Sequence, residues 1–296
     1  MPGPSAYHPQ DIRIASLRGR AELWRSGLTL GVIIVATVVI GLLFNTLMGA
    51  IMSDQWTADL SKGSTPESLL VLLASFGFSI LGVHLGVRLV QHRSVFDLIG
   101  PIGLFWRQFG RVLLYLVALT FVLGMLPPYT MDKPLVPNLP ADRWLSLLPL
   151  SVAALLIQTG AEEILFRGFA QQSLAARFQS KWVFLLVPAI LFAIGHYIPA
   201  QAGDNALLVA VWAGVFGLAV GDLTARSGSL GPAVAMHFFN NATAILIVST
   251  PGELSGLSLY LFPYDLSDTD SLRPWLVVDL AIIGVSWLVA RLAIRR

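Results

Sequence analysis

The densest ionisable cluster in an otherwise apolar stretch is QTGAEEILFRGF, where Glu162, Glu163 and Arg167 stand together. Glu163 and Arg167 are four apart, so on a helix they stack on one face and neutralise each other. Glu162 is turned about 100° away and cannot share that arginine equally. One glutamate is thus supported while the other is free to face a cavity, where a carboxylate can take a proton from water. His196 closes the run PAILFAIGHYIP, and an imidazole beside Glu162 could help hold that water. His237 and Asn241, four apart in MHFFNNAT, share a face from which Asn240 is expected to point away. Both side chains can donate to an oxyanion that develops during hydrolysis.

The elements that position these groups must be membrane helices. Of 296 residues, 55% are hydrophobic and 12% charged, about half the charge a soluble domain carries. Cysteine is absent, which excludes disulfides, thiolate nucleophiles and Cys-ligated metals. A bilayer takes about 20 apolar residues per helix. Eight segments qualify, near 27–52, 68–90, 108–127, 144–166, 182–199, 205–224, 230–250 and 274–293. The fold expected is all-α, a polytopic transmembrane bundle of about eight spans.

Charge orients it. Fifteen of the nineteen Lys and Arg residues, among them Arg13, Arg20, Arg25, Arg88, Arg93, Arg107, Arg167, Arg177, Arg291 and Arg296, fall on one side of this segmentation. Lys62, Lys133, Arg143 and Arg273 fall on the other, with loop acids such as Asp59, Asp132, Glu253 and Asp268. Positive residues favour the cytoplasmic side, so both termini are expected there. The pI near 9.1 is then a topology signal, and no nucleic-acid partner is implied. Residues 1–26 read as a cytoplasmic or interfacial leader, either a short surface helix or a mobile basic stretch. Residues 27–296 form one transmembrane domain, with 91–111 as an interfacial segment and 251–273 as the longest outer loop.

Register supports a meeting of Glu162 and His196. Each lies 17 residues from Gln179, in the expected turn at 178–180, so an antiparallel hairpin brings both about 25 Å from the turn. His237 is close to the 227–231 turn, so it meets Glu162 only if the first hairpin projects about 13 Å further. His84 has no acidic or amide neighbour at helical spacing and reads as a packing or hydrogen-bonding residue. Asp279 reads as a structurally paired acid, and Asp222 sits at a helix end.

Glu162-Glu163-x-x-x-Arg167, Phe192-x-x-x-His196 and His237-x-x-x-Asn241 occur in the order of three motifs of a known family. The chain resembles the CAAX-type prenyl endopeptidase and bacteriocin-processing (CPBP, or Abi) family of intramembrane proteases over about residues 144–250. That resemblance implies an endopeptidase acting on a membrane-associated protein or peptide, prenylated or not. Glu162 would be the base that activates water, assisted by His196. His237 and Asn241 would stabilise the oxyanion, and Glu163 and Arg167 would support the site. The family has been described both as metalloproteases and as glutamate-dependent enzymes without an obligatory metal. Zn2+ held by Glu162, His196 and His237 is chemically reasonable, but no HExxH pattern is present, and a metal-free glutamate–histidine water is preferred.

Other membrane chemistries fit less well. Gly77-Phe78-Ser79 offers a GxS of the rhomboid kind by composition alone, and Tyr264-Asp265 lies in a polar loop. Ala219-Val220-Gly221-Asp222 lacks the first glycine of GxGD. A silent scaffold or bacteriocin-immunity-type protein is the main alternative. A proton-coupled transporter ranks below it, because no corresponding halves are evident. A bacterial plasma membrane is the expected host.

Overall fold

A computed structural model describes residues 6–127 and 133–295. Asp132 and Arg296, used above for orientation, lie outside the described residues, as do residues 1–5 of the leader. The chain is an all-α polytopic membrane bundle, and each of the eight expected apolar segments is largely helical.

In chain order the helices are α1 (His8–Ile14), α2 (Leu23–Ile51), α3 (Asp54–Lys62), α4 (Pro66–Ser75), α5 (Gly77–Gly86), α6 (Val95–Ile99) and α7 (Ile102–Gly124). They continue as α8 (Ala141–Glu163), α9 (Gln171–Arg177), α10 (Lys181–Gly195), α11 (Pro199–Ala202), α12 (Ala206–Ser227), α13 (Gly231–Ala242) and α14 (Thr269–Ile294). A π-helical stretch, Ile164–Ala170, joins α8 to α9 without a break, and another, Thr243–Ile247, extends α13. Short strands β1 (Val136–Pro137), β2 (Val248–Ser249) and β3 (Tyr260–Leu261) pair in the order β1-β3-β2, β1 antiparallel and β2 parallel to β3.

Six of the eight segments lie in helices long and apolar enough to cross a bilayer: 23–51, 66–91, 102–124, 141–177, 199–227 and 269–294. The two shorter ones are α10 and α13, which carry or abut the two histidines of interest. Helix α13 is interior: every residue from Gly231 to Phe238 is buried. By contrast α2 shows Ile34, Val35, Val38, Leu42 and Leu43 on the outside, where acyl chains rather than water solvate them. The core between the helices is Leu69, Val83, Leu98, Val112, Leu116, Leu155, Phe192, Phe216 and Leu230.

Two boundaries differ from expectation. Helix α7 starts at Ile102, so only α6 remains as a separate element in the expected interfacial segment 91–111. Helix α14 starts at Thr269, capped by the Asp268 side chain on the N–H groups of Asp270 and Ser271. The outer loop 251–273 is shorter by that much. The glycine at the start of α13 explains how this helix sits in the centre. A Cβ on Gly231 would lie 2.3 Å from the Phe105 carbonyl oxygen of α7, so the two backbones touch. Gly231→Ala is expected to push these helices apart, costing about 1–3 kcal/mol as overpacking does. Thermal unfolding in detergent checks it.

The leader is docked. Gln10, Ile14 and Leu17 are buried, and α1 packs on α9 and α12. Tyr7 donates to Asp222 Oδ1 at 2.7 Å, Arg226 chelates the same carboxylate, and Trp287 Nε1 donates to Oδ2 at 2.9 Å. Asp222 therefore ties the leader and α14 to α12. Burial first, and then the hydrogen bond to Asp222, push the Tyr7 phenol up to about 12. Its unfolded-state value is lower, near 10, so the stability it adds is complete below pH 10 and is lost as pH rises towards 12. Tyr7→Phe is expected to flatten that part of the stability–pH curve measured by thermal unfolding.

Candidate active site

Glu162 and Glu163 end α8, and the π-helical stretch begins on the next residue. Glu163 and Arg167 form the i,i+4 pair expected, Arg167 Nη1 donating to Glu163 Oε1 at 2.9 Å. Both side chains are essentially inaccessible. Arg167 also donates through Nη2 to the Gly217 carbonyl at 3.2 Å and lies over the Phe192 ring. Gly217 permits this: a Cβ there would come within 3.2 Å of both Arg167 Nη2 and Ala189 Cα. The absent side chain lets α10 and α12 approach closely, as small residues do between membrane helices.

The same Glu163 Oε1 receives His237 Nδ1 at 2.7 Å. One carboxylate oxygen thus orients both a guanidinium and an imidazole, and the other, Oε2, is buried without a hydrogen bond. The His237 ring is further walled by Phe192 and Phe216, both edge-on, with centroids 5.9 and 5.2 Å away. Its Nε2 points towards Glu162 Oε2 at 3.5 Å, too long for a hydrogen bond.

Glu162 is the more open of the two glutamates, its side chain 17% exposed against 0% for Glu163. Gln158 Nε2 donates to Glu162 Oε1 at 2.8 Å, and Asn241 Nδ2 donates to Gln158 Oε1 at 2.9 Å. Glu162 Oε2 has no hydrogen-bond partner among the described residues. The carboxylate is held on one oxygen, and the other is buried with its hydrogen-bonding capacity unused.

Gln158 was missed from the sequence, although it stands four residues before Glu162 in the same quoted run, the spacing already used for Glu163 and Arg167. Asn240, expected to point elsewhere, donates to Asn241 Oδ1 at 3.2 Å. His196 caps α10, and its Nδ1 bonds the Phe192 carbonyl at 2.8 Å rather than Glu162. Its ring lies against Phe192, centroids 4.3 Å apart, with His237 on another side of that phenylalanine. The residue count that put His196 level with Glu162 assumed α-helical rise and rotation throughout, whereas residues Ile164–Ala170 are π-helical.

Structure therefore gathers Glu162, Glu163, Arg167, His237 and Asn241 around Gln158, and places His196 one aromatic ring away. In this arrangement Glu162, His196 and His237 do not converge as a set of metal ligands, and no such cluster occurs among the described residues. Of the other ionisable groups, His84 is packed in α5 without a hydrogen bond among the described residues. Asp279, expected to be paired, has no ion-pair partner among them.

Comparison with known proteins bears on this segment. Residues 144–243 match the model of the Rce1-like family, described as type II CAAX prenyl endopeptidase Rce1-like. The chain is also 27% identical over 257 residues to the uncharacterized protein YyaK of Bacillus subtilis (strain 168), covering 82% of this chain and 84% of that one. No solved structure gives a significant match. The matched span contains most of α8 and all of α9 to α13, and carries Glu162, Glu163, Arg167, His196, His237 and Asn241; over these residues the chain is similar to the Rce1-like family of CAAX prenyl endopeptidases.

Proposed function

We propose that the chain is an intramembrane endopeptidase in which Glu162 activates water to hydrolyse a peptide bond of a membrane-associated protein or peptide. The observation that carries this reading is the asymmetry of the two glutamates. Glu163 is consumed by Arg167 and His237, whereas Glu162, on a side chain that is 17% exposed, keeps one buried oxygen free of protein hydrogen bonds.

Water held by Glu162 Oε2 gives a proton to that carboxylate as its oxygen bonds to the scissile carbonyl carbon. The carbonyl oxygen becomes an oxyanion. His237 Nε2 is the donor aimed at this region, and it donates as the imidazolium, with Glu163 on Nδ1 as counter-charge. Glu162 then returns its proton to the leaving nitrogen as the C–N bond breaks. His196, whose Nδ1–H is committed to the Phe192 carbonyl, retains a lone pair on Nε2 that can accept from the water. Asn241 acts through Gln158 on Glu162 in the resting arrangement, and its second N–H is available to the oxyanion. Glu163 and Arg167 position the imidazole.

Asn241→Ala is expected to lower kcat by roughly 10²–10³-fold, the effect of losing a transition-state donor, with little change in KM. Substrates are drawn from the bilayer, and the Bacillus relative favours a bacterial plasma membrane as host. A proteomic comparison of membranes containing the protein or its Glu162→Gln variant tests the assignment. Peptide termini present only with the unaltered chain support proteolysis; identical termini in both would leave a silent scaffold as the better reading.

A further inference from the structure

At the end of the bundle where the leader docks, a cavity of about 700 Å³ is lined by Arg13, Arg20, Gln91, His92, Arg93 and Asp97. Three guanidiniums and an imidazole there face a single carboxylate, and Asp97 Oδ2 already accepts from the Ser94 N–H at 2.7 Å. Arg13 donates from Nη2 to the Leu98 carbonyl, which leaves its Nε and Nη1 buried without a partner. Arg93 donates from Nη2 to Gln172 Oε1 at 2.9 Å, and its Nη1 is likewise buried and unpartnered. Gln91 contributes a buried acceptor, Oε1, that also lacks a hydrogen bond.

Guanidiniums gathered this closely oppose one another. Burial, and next the charge of Arg93, bring the Arg13 pKa down to about 10, and burial lowers that of Arg93 as well, with Asp97 opposing. Buried donors without acceptors bear their full desolvation cost, and an anion relieves both problems. The planar fork of arginine matches the oxygens of a phosphate. Around the cavity the surface is that of a membrane interface: Phe96, at its wall, is 69% exposed, and Leu89 and Ile102 are exposed beside it. Aromatic and apolar side chains flanking clustered arginines suit the headgroup level of a bilayer.

We propose that this cavity binds a phosphate oxyanion, carried by an anionic phospholipid headgroup or free in solution. Arg13 and Arg93 bind the phosphate oxygens, and Gln91 Oε1 accepts from a headgroup hydroxyl. Because Arg13 belongs to the leader, occupancy fastens the leader to the turn between α5 and α6. The site is independent of the proteolytic assignment.

Ligands that bind only the folded state raise its unfolding temperature by mass action. The test titrates the full chain, in a neutral detergent, with short-chain phosphatidylglycerol, short-chain phosphatidylcholine, or inorganic phosphate at chloride-matched ionic strength. A saturable rise in Tm is expected with phosphatidylglycerol and not with phosphatidylcholine. Arg13→Gln and Arg93→Gln should each need at least tenfold more ligand for half the effect. Arg18→Gln, which removes an exposed arginine outside the cavity, should leave the midpoint unchanged. Arg93→Lys keeps the charge but not the fork and should weaken binding by the same order, so the proposal stays testable if a neutral variant does not fold. Saturation by inorganic phosphate at similar concentrations identifies free phosphate as the ligand; saturation by the lipid alone identifies the headgroup. Absence of any saturable shift, or folded cavity variants with the unaltered midpoint, would overturn it.

Discussion

Glu162→Gln is expected to lower kcat by roughly 10²–10⁴-fold, the usual worth of a positioned general base, while leaving the protein folded in the membrane. The side chain stays isosteric, and its Oε1 can still accept from Gln158 Nε2, the bond seen at 2.8 Å. What is lost is the basic oxygen, Oε2, which has no protein hydrogen bond to break. KM should change little, because the missing step is proton transfer in the transition state rather than substrate binding. Single-turnover cleavage of a substrate found by proteomics, with Tm measured on the same preparation, separates the two effects. Undiminished turnover in a folded variant would remove Glu162 from the mechanism. Glu162→Asp is an informative companion: it keeps a base but withdraws it by one methylene, so activity between the two is expected.

A different signature belongs to the buried pair beneath it. Glu163→Leu leaves the Arg167 guanidinium, itself inaccessible, without its carboxylate, and removing one partner of a buried pair costs about 3–5 kcal/mol. Arg167→Met leaves Glu163 with only the imidazole and should be destabilising on the same scale. The double variant Glu163→Leu/Arg167→Met is expected to recover most of the stability, because a buried ion pair replaced by apolar side chains is often neutral. Activity should not return with it. His237 then lacks the Nδ1 acceptor now at 2.7 Å, and its ring is held only by Phe192 and Phe216. Thermal unfolding and cleavage measured on all three variants form the test. Recovery of both quantities together would mean that the pair serves the fold alone, whereas recovery of stability without activity assigns Glu163 to positioning the imidazole.

The two experiments separate neighbours that a sequence treats as one dipeptide. Glu162 and Glu163 have the same chemistry and adjacent numbers, yet one should tolerate amidation structurally and fail catalytically, and the other should fail in both respects. Their difference comes from about 100° of helix rotation, which turns one carboxylate towards Arg167 in the core and the other towards Gln158 and the Nε2 edge of His237.

That rotation was legible without coordinates, and so were the other features governed by local periodicity. Apolar runs of bilayer length foretold the helices, because unsatisfied backbone groups in lipid leave little alternative. Spacing of four foretold the Glu163–Arg167 pair, because neighbours along one helix face are set by helix geometry alone. Contacts between helices were a different matter. They depend on axial shift and rotation of whole elements, and a π-helical stretch of seven residues at Ile164–Ala170 changes both without an obvious mark in the residue pattern. The hairpin count pointed to a meeting of Glu162 and His196; in the folded chain His196 Nδ1 bonds the Phe192 carbonyl, and His237 reaches both glutamates. Gln158 joined the site for the same reason: its link to Asn241 spans two helices 83 positions apart in the chain. The amino-terminal leader follows this rule too, since a basic amphipathic stretch is compatible with free solution until Ile14, Leu17 and Tyr7 find their pockets. The sequence by itself determined that this is a helical membrane protein and which side chains are available for chemistry. Only the tertiary structure decided which of them meet, because side-chain contacts across helices are set by packing at a precision of one rotamer and one residue of register, finer than any periodicity in the chain.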